Sequence, residues 1–242
     1  MNALIFAAGL GTRLGQLTQN KPKALVEVNG KPMLLHAIEK LRSVGVKRIV
    51  VNMHHHAEMI ASFVNSMGFT DVEVLLSDER GELLETGGGL IKAAPLFLPD
   101  QPVILYNSDV LTGANLEAMV EYHFAHGGMA TLMVKNRETS RYFLFDPQMR
   151  LSGWKNINTG QQIISRDVDE LDMYAFSGIH IVNFELINKL GPLRKFSITN
   201  GYLDISEKYE VYGWKDWDEY WFDIGTPEKL NHVNDFFMDK HM

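Results

Sequence analysis

Short apolar runs alternate with amphipathic stretches along the first half of this 242-residue chain. Residues 4–8 form an unbroken apolar run that ends on Gly9, and no basic segment precedes it. That is the pattern of a buried strand rather than of a leader peptide. Behind Pro32, residues 33–44 carry Leu34, Ala37, Ile38, Leu41 and Val44 at helical spacing, which predicts a helix. A β-branched strand is predicted over 48–53, a helix over 57–67, a strand over 72–76, a short helix over 89–94 and a buried strand over 103–106. A helix over 116–125 and a strand over 130–134 complete the series. Strands and helices in turn predict a mainly parallel sheet covered on both faces.

After Asn136 the pattern changes. Strands are predicted over 141–146, 149–154 and 174–182, joined by turns such as Asp146-Pro147-Gln148, and these should extend the sheet with antiparallel pairs and a hairpin over one end. Helices are predicted over 184–189 and 198–208, a short strand over 220–223 and a last helix from Pro227. The expected fold is α/β, with a doubly wound, mixed but mainly parallel, Rossmann-like sheet. One domain is expected over 1–242, in two halves that meet near 136/137, because no exposed or flexible segment divides them.

Composition narrows the possibilities further. The chain has no cysteine, which removes disulfides and thiolate chemistry. No apolar run approaches the roughly 20 residues that cross a bilayer, so no membrane partner is expected and a cytoplasmic location is. A formal charge of −7, from 23 basic and 30 acidic residues, argues against nucleic acid as a partner, because a phosphate backbone demands excess cations. It leaves room for a small anion held by a few placed cations.

Such cations follow the first strand. Ala8-Gly9-Leu10-Gly11-Thr12-Arg13-Leu14 is a glycine turn at a strand end, where backbone N–H groups can approach phosphate oxygens closely. It is not a dinucleotide fingerprint, since Leu14 stands where a third glycine is needed and no acid closes the strand that ends near Asn52. Nor is it a P-loop, because Gly30-Lys31 is followed by Pro32. Arg13 can fork onto a triphosphate from within the turn, and Lys23, in Lys21-Pro22-Lys23, can return as a point charge. Two aspartates close strands elsewhere: Asp109 after Val103-Ile104-Leu105-Tyr106, and Asp223 after Tyr220-Trp221-Phe222. Thr226-Pro227-Glu228 then opens a helix. Strand ends at the carboxyl edge of an open sheet are where ligands bind. Two carboxylates with phosphate oxygens and water suit Mg²⁺.

These stretches together resemble the sugar-1-phosphate nucleotidylyltransferase family. Gly9-Leu10-Gly11-Thr12-Arg13-Leu14 with Pro22-Lys23-Ala24-Leu25 is similar to its signature, and Asn107-Ser108-Asp109 and Trp221-Phe222-Asp223 to its two metal positions. Glu85-Thr86-Gly87-Gly88-Gly89 is similar to its base-binding loop, and Phe176-Ser177-Gly178-Ile179 to its sugar-side strand. The resemblance implies a cytoplasmic enzyme of nucleotide-sugar biosynthesis serving the cell envelope. Its substrates would be a nucleoside triphosphate, UTP or GTP, and a sugar 1-phosphate, its cofactor Mg²⁺ on Asp109 and Asp223, and its catalytic cations Arg13 and Lys23. The nucleotide would lie on Ala8, Gly9, Gly11, Thr12, Arg13 and Lys23, with amides near Thr86 and Gly87 reading the base edge and Glu79 accepting a ring N–H. The half from 137 onward would hold the sugar through Lys155, Ser177 and Gly178. The resemblance is nearest to the N-acetylmuramate 1-phosphate uridylyltransferase and mannose- or heptose-1-phosphate guanylyltransferase branch. A muramate acceptor would demand a further cation, with Arg137, Arg141 and Arg166 as candidates. A nucleotide-binding regulator without chemistry should lack some of Arg13, Lys23, Asp109 and Asp223, yet all are present. His54-His55-His56 has no spaced third ligand and reads as a polar loop rather than a zinc site. Trp214, Trp217, Tyr220 and Trp221 should pack the core or close the sugar cleft.

Overall fold

Side-chain alternation in the first strand, β1 (Asn2–Phe6), decides how the sheet is covered. Ala3 and Ile5 enter one hydrophobic cluster, and Leu4 and Phe6 enter another on the opposite face. The computed structural model describes residues 1–217 and 220–239. Beyond β1 the chain forms β2 (Glu27–Val28), β3 (Lys31–Pro32), α1 (Met33–Ser43), β4 (Arg48–Met53), α2 (Ala57–Ser66) and β5 (Glu73–Asp78). Then come α3 (Glu85–Ala93), β6 (Val103–Asn107), β7 (Val110–Thr112), α4 (Leu116–His126) and β8 (Ala130–Lys135). The second half supplies β9 (Arg141–Phe145), β10 (Leu151–Asn156), β11 (Gln162–Ile164), β12 (Asp172–Val182), α5 (Phe184–Lys189) and α6 (Ile198–Ser206). It ends with β13 (Val211–Lys215), β14 (Trp221–Asp223) and α7 (Pro227–Asp239). Among the described residues no helix is long and apolar enough to cross a membrane.

A ten-stranded mixed sheet runs β11-β10-β9-β12-β6-β1-β4-β5, with β8 and β13 joined through β12. β1 pairs in parallel with β4 and β6, β4 with β5, and β13 with β8. β12 is antiparallel to all its partners and changes them along its length. Its residues Ile179–Val182 bond to β6, while Asp172–Tyr174 bond to β9 of the β9–β10–β11 meander. Ser177 and Gly178 fall between these ladders, at a register shift against β8.

The apolar stripes of α1, α2 and α4 cover one face and those of α3, α5 and α6 the other. A third, smaller cluster joins Leu14, Val26, Val28 and Met33 to Leu111, Ile224, Leu230 and Val233. The residue that spoils a dinucleotide fingerprint, Leu14, is thus a core residue pinning the loop down.

Several boundaries differ from those predicted. The first strand stops at Phe6, because the amides of Ala7 and Ala8 turn to the Asn52 side chain. The helix predicted over 89–94 begins at Glu85, so the three glycines lie inside it. β7 and β13 had no strong signal: β7 is three residues long, and β13 reads Val-Tyr-Gly-Trp-Lys with a glycine at its centre. Trp217 is 84% exposed, whereas Trp214 packs on the first cluster.

Candidate active site

Beyond β1 the chain enters the glycine turn with its geometry fixed from behind. Asn52 Oδ1 accepts the N–H groups of Ala7 and Ala8 at 2.6 and 3.1 Å. Gly11 has φ +66°, a left-handed conformation, and a Cβ there would lie 3.1 Å from both Lys23 Cβ and Thr18 Cγ2. The Thr18 hydroxyl donates to Gly11 O at 2.9 Å, and Pro22 leads into a single 3-10 turn at Lys23–Leu25. Turn and lysine therefore pack directly on one another. They line a cavity of about 570 Å³ at the carboxyl ends of β1, β4 and β6, which Ala8, Gly9, Gly11, Thr12, Arg13, Lys23, Glu79, Thr86 and Asp109 all reach.

Glu79 serves this turn from below. It is fully buried; its Oε1 accepts from Asn52 Nδ2 at 2.7 Å and its Oε2 from Leu84 N at 3.2 Å. Burial pushes its pKa above the ordinary carboxylate value, against the pull of those two hydrogen bonds. The carboxylate expected to accept a ring N–H thus also holds Asn52 while bordering the cavity. Gly87 differs from expectation as well. It lies outside the cavity and its N–H donates to Phe196 O at 2.9 Å. Its glycine character is required by packing, since a Cβ at Gly87 would meet the Phe196 ring at 2.4 Å and one at Gly88 would meet Arg194 O at 2.3 Å. Thr86 Oγ1 accepts from Ile198 N at 3.0 Å, tying the start of α3 to the start of α6.

The two aspartates are brought together by the short β7–β14 ladder. Asp223 stands opposite Val110, and Ile224 N donates to Asp109 O at 3.0 Å. Each carboxylate holds an ammonium: Lys23 Nζ lies 2.5 Å from Asp109 Oδ2, and Lys229 Nζ 2.5 Å from Asp223 Oδ2. Burial raises the Asp223 pKa, but Lys229, the Gly225 N–H at 3.1 Å and the charge of Lys23 together hold it below the ordinary value. A Cβ at Gly225 would lie 2.8 Å from Asp223 Oδ1 and 3.5 Å from Arg13 Nη2, so the guanidinium and the carboxylate both come close to this glycine. Among the described residues no third His, Asp or Glu joins the aspartates into a larger ligand cluster. Two hard carboxylates, one of them lining this cavity and the other beside it, are a donor set that fits Mg²⁺, which takes its remaining ligands from water and phosphate.

On the sugar side the predicted residues are less gathered. Gly178, at φ +80°, packs on Asn107, a residue that lines the cavity. Ser177 is fully buried beside it. Lys155 sits on β10 opposite Tyr142 and Gln162, away from the cavity. Nearer to the carboxylates is Arg137. Its guanidinium lies 4.1 Å from the centroid of the Trp221 ring and donates to Phe176 O at 2.8 Å, while Trp221 Nε1 donates to Ser177 O at 2.8 Å. Burial lowers the Arg137 pKa, and the charge of Asp223 opposes this.

Asn52 and Lys229 were missed as site residues. In the sequence Asn52 signals only the absence of an acid at that strand end. Lys229 did carry a signal, because a cation in the first turn of α7 opposes the helix dipole and calls for a partner.

Residues 2–147 match the family model described as nucleotidyl transferase. A probable mannose-1-phosphate guanylyltransferase 2 of Arabidopsis thaliana is 33% identical over 240 residues, covering 94% of this chain and 62% of that protein. The chain thus spans under two thirds of the length of the guanylyltransferases it matches first. The N-acetylmuramate alpha-1-phosphate uridylyltransferase of Caulobacter vibrioides is 30% identical over 232 residues, covering 93% of this chain and 92% of that one. Among solved structures, HddC from Yersinia pseudotuberculosis superposes with a TM-score of 0.75 at 24% identity, over 98% of this chain and 99% of that one. A putative glucose-1-phosphate thymidylyltransferase from Bacillus anthracis gives 0.80 at 18% identity, over 99% and 96%. These likenesses establish the fold.

Proposed function

Because the chain belongs to the nucleotidyl transferase family, we propose that it joins a nucleoside triphosphate to a sugar 1-phosphate and releases pyrophosphate. One arrangement supports this reading: the glycine turn with Arg13, Lys23 and Asp109 lines one cavity, and the β7–β14 ladder sets Asp223 beside Asp109. An oxygen of the sugar phosphate attacks the α-phosphorus in line. The new P–O bond forms as the bond to pyrophosphate breaks. A phosphate monoester is already largely ionised at neutral pH, so the step needs no general base. Catalysis then rests on alignment and on charge neutralisation.

Arg13 and Lys23 grip the leaving pyrophosphate, Lys23 exchanging Asp109 for a phosphate oxygen. The amides of Gly9, Gly11 and Thr12 face the same chain of phosphates beside Ala8, whose own N–H is held by Asn52, and Thr86 borders the base. Glu79 borders the cavity while holding Asn52, and Gly87 acts behind this surface by seating α3. Asp109 and Asp223 would hold Mg²⁺, which when bound neutralises phosphate charge. In this reading residues 1–136 take the nucleotide and 137–242 the sugar, with Ser177 and Gly178 at the junction and Lys155 on the meander beyond them. The reaction draws on intracellular triphosphates, so we take the protein to be cytoplasmic.

Similarity to the Caulobacter enzyme over nearly all of both chains supports UTP with N-acetylmuramate 1-phosphate, or a related hexose 1-phosphate, as the substrate pair. The somewhat higher identity to guanylyltransferases, 33% against 30%, supports GTP with mannose or heptose 1-phosphate as the second reading. A coupled pyrophosphate assay over UTP and GTP against these acceptors, with Mg²⁺, separates the two. With the productive pair, Lys23→Ala and Asp109→Ala should each lower turnover by about 10²–10³ while the protein stays folded. Near-wild-type pyrophosphate release by either variant would overturn the assignment.

A further inference from the structure

A second cavity, of about 280 Å³, lies between the meander and α6. The meander contributes Arg141 of β9, Trp154 of β10 and Ile163 of β11 to its lining, and α6 contributes Asn200 and Leu203. Strand alternation explains the first group. Trp154 stands opposite Phe143 on β9 and Ile163 on β11, and Arg141 shares the face of Phe143, two residues along. Ser197, which caps α6 by accepting from Thr199 N at 3.4 Å, lines this cavity and the larger one at the glycine turn alike. The two spaces therefore adjoin at Ser197.

The lining has a definite chemistry. Trp154, Ile163 and Leu203 are apolar, Gln161 and Asn200 carry amides, Arg141 brings a full charge, and no Asp or Glu stands among the lining residues. Arg141 bonds to Thr139 through its backbone N–H alone, and among the described residues no carboxylate pairs with its guanidinium. Of the three arginines available to an acidic acceptor, the other two are engaged. Arg137 lies on Trp221 and donates to Phe176 O, and Arg166 pairs with Glu210 at 3.2 Å. A guanidinium without an acid, in an amphipathic cavity of a chain with net charge −7, suits an anion that carries an apolar body. The reacting phosphate is not that anion, because Lys23 and Asp109 line the larger cavity and not this one. We propose that the smaller cavity receives a carboxylate-bearing substituent of the acceptor sugar. Arg141 binds the carboxylate, Trp154 and Ile163 cover its carbon skeleton, and the Gln161 and Asn200 amides hydrogen-bond an acetamido group. This rests on the sugar-1-phosphate reading above and deepens it, selecting an acidic N-acetylated hexose over a neutral one.

The test is steady-state pyrophosphate release, with UTP or GTP, from two acceptors that differ only in a lactyl ether: N-acetylmuramate 1-phosphate and N-acetylglucosamine 1-phosphate. Mannose and heptose 1-phosphates serve as further neutral acceptors. Wild type should favour the muramate over every neutral acceptor by about tenfold or more in kcat/KM, the scale of one charge-assisted bond. Arg141→Ala and Arg141→Gln should each lower kcat/KM for the muramate about ten- to a hundredfold and leave the neutral acceptors within about twofold. Arg141→Lys should keep part of the preference. Because Arg141 is exposed, Tm should move by no more than about 2 °C in any of these variants. An equal fall on all acceptors, or an unchanged preference in the Ala and Gln variants, would overturn the proposal. So would a wild type that works as well or better on a neutral acceptor, and the sugar-phosphate reading would then stand without it. If wild type releases pyrophosphate with none of these acceptors, that reading fails and takes this proposal with it.

Discussion

Exchanging donor and acceptor along the Glu79–Asn52 bond tests what holds the glycine turn. In wild type, Asn52 offers its oxygen to Ala7 and Ala8 and its amide N–H to Glu79 Oε1 at 2.7 Å. Asn52→Asp keeps the first function but sets two carboxylate oxygens at that separation in a buried place, where both cannot be ionised. The expected cost at pH 8 is about 3–5 kcal/mol, the range for an uncompensated buried charge. For a chain of this length that is a fall in Tm of roughly 6–20 °C. The sign with pH follows from the shared proton. The pair's folded pKa is raised, so between the ordinary carboxylate value and the raised one the folded state binds more protons than the unfolded state. Stability is then best at low pH and declines as pH rises through that window. Glu79→Gln leaves one acceptor for two donors, Asn52 Nδ2 and Leu84 N, and should cost about 1–3 kcal/mol. The double variant restores the chain in reverse: the new amide donates to the new carboxylate and accepts from Leu84. Its stability should return to within about 1 kcal/mol of wild type, a large coupling in a double-mutant cycle. Urea unfolding at pH 6 and 8 measures all four proteins. A double variant no more stable than the worse single one would show that this hydrogen-bond chain does not hold the turn.

Lys229→Met removes the ammonium that occupies Asp223 Oδ2, so the Mg²⁺ concentration for half-maximal turnover should fall about two- to tenfold; an unchanged or higher requirement in a metal titration would refute competition at that carboxylate. His180, fully buried against the Tyr202 hydroxyl, is pushed down to about 3 by burial. The unfolded state therefore binds the extra proton below the ordinary histidine value, and stability falls as pH drops through the interval from about 6.5 towards 3. That slope is about 1.4 kcal/mol per pH unit, and His180→Gln should abolish it in urea midpoints taken at pH 5 and 7.

The helices, the first four parallel strands and both strand-end aspartates were legible because periodicity and strand-end chemistry are local. The meeting of Asp109 and Asp223 was not, since it depends on the three-residue β7–β14 ladder, too short to signal itself in sequence. The Gly87-Gly88-Gly89 run was legible as close approach but not as approach to what. Its neighbours are Phe196, Arg194 and the Glu79–Asn52 pair, which only the tertiary fold supplies. Arg137, Arg141 and Arg166 look alike in the sequence; only the fold stacks the first on Trp221, pairs the third with Glu210 and leaves the second lining a cavity.

The smallest of the three clusters has a mechanical consequence. Leu14 from the glycine turn and Ile224 from just beyond Asp223 are bolted to the same apolar plug, together with Leu230 and Val233 of α7. On the proposed assignment, the groups that would hold the triphosphate tail and those that would hold the cation therefore rest on one apolar plug, though nearly the whole chain separates them. On the same assignment, adjustment to differently shaped sugars would fall to the other side, where β12 passes from one set of partners to another at Ser177 and Gly178.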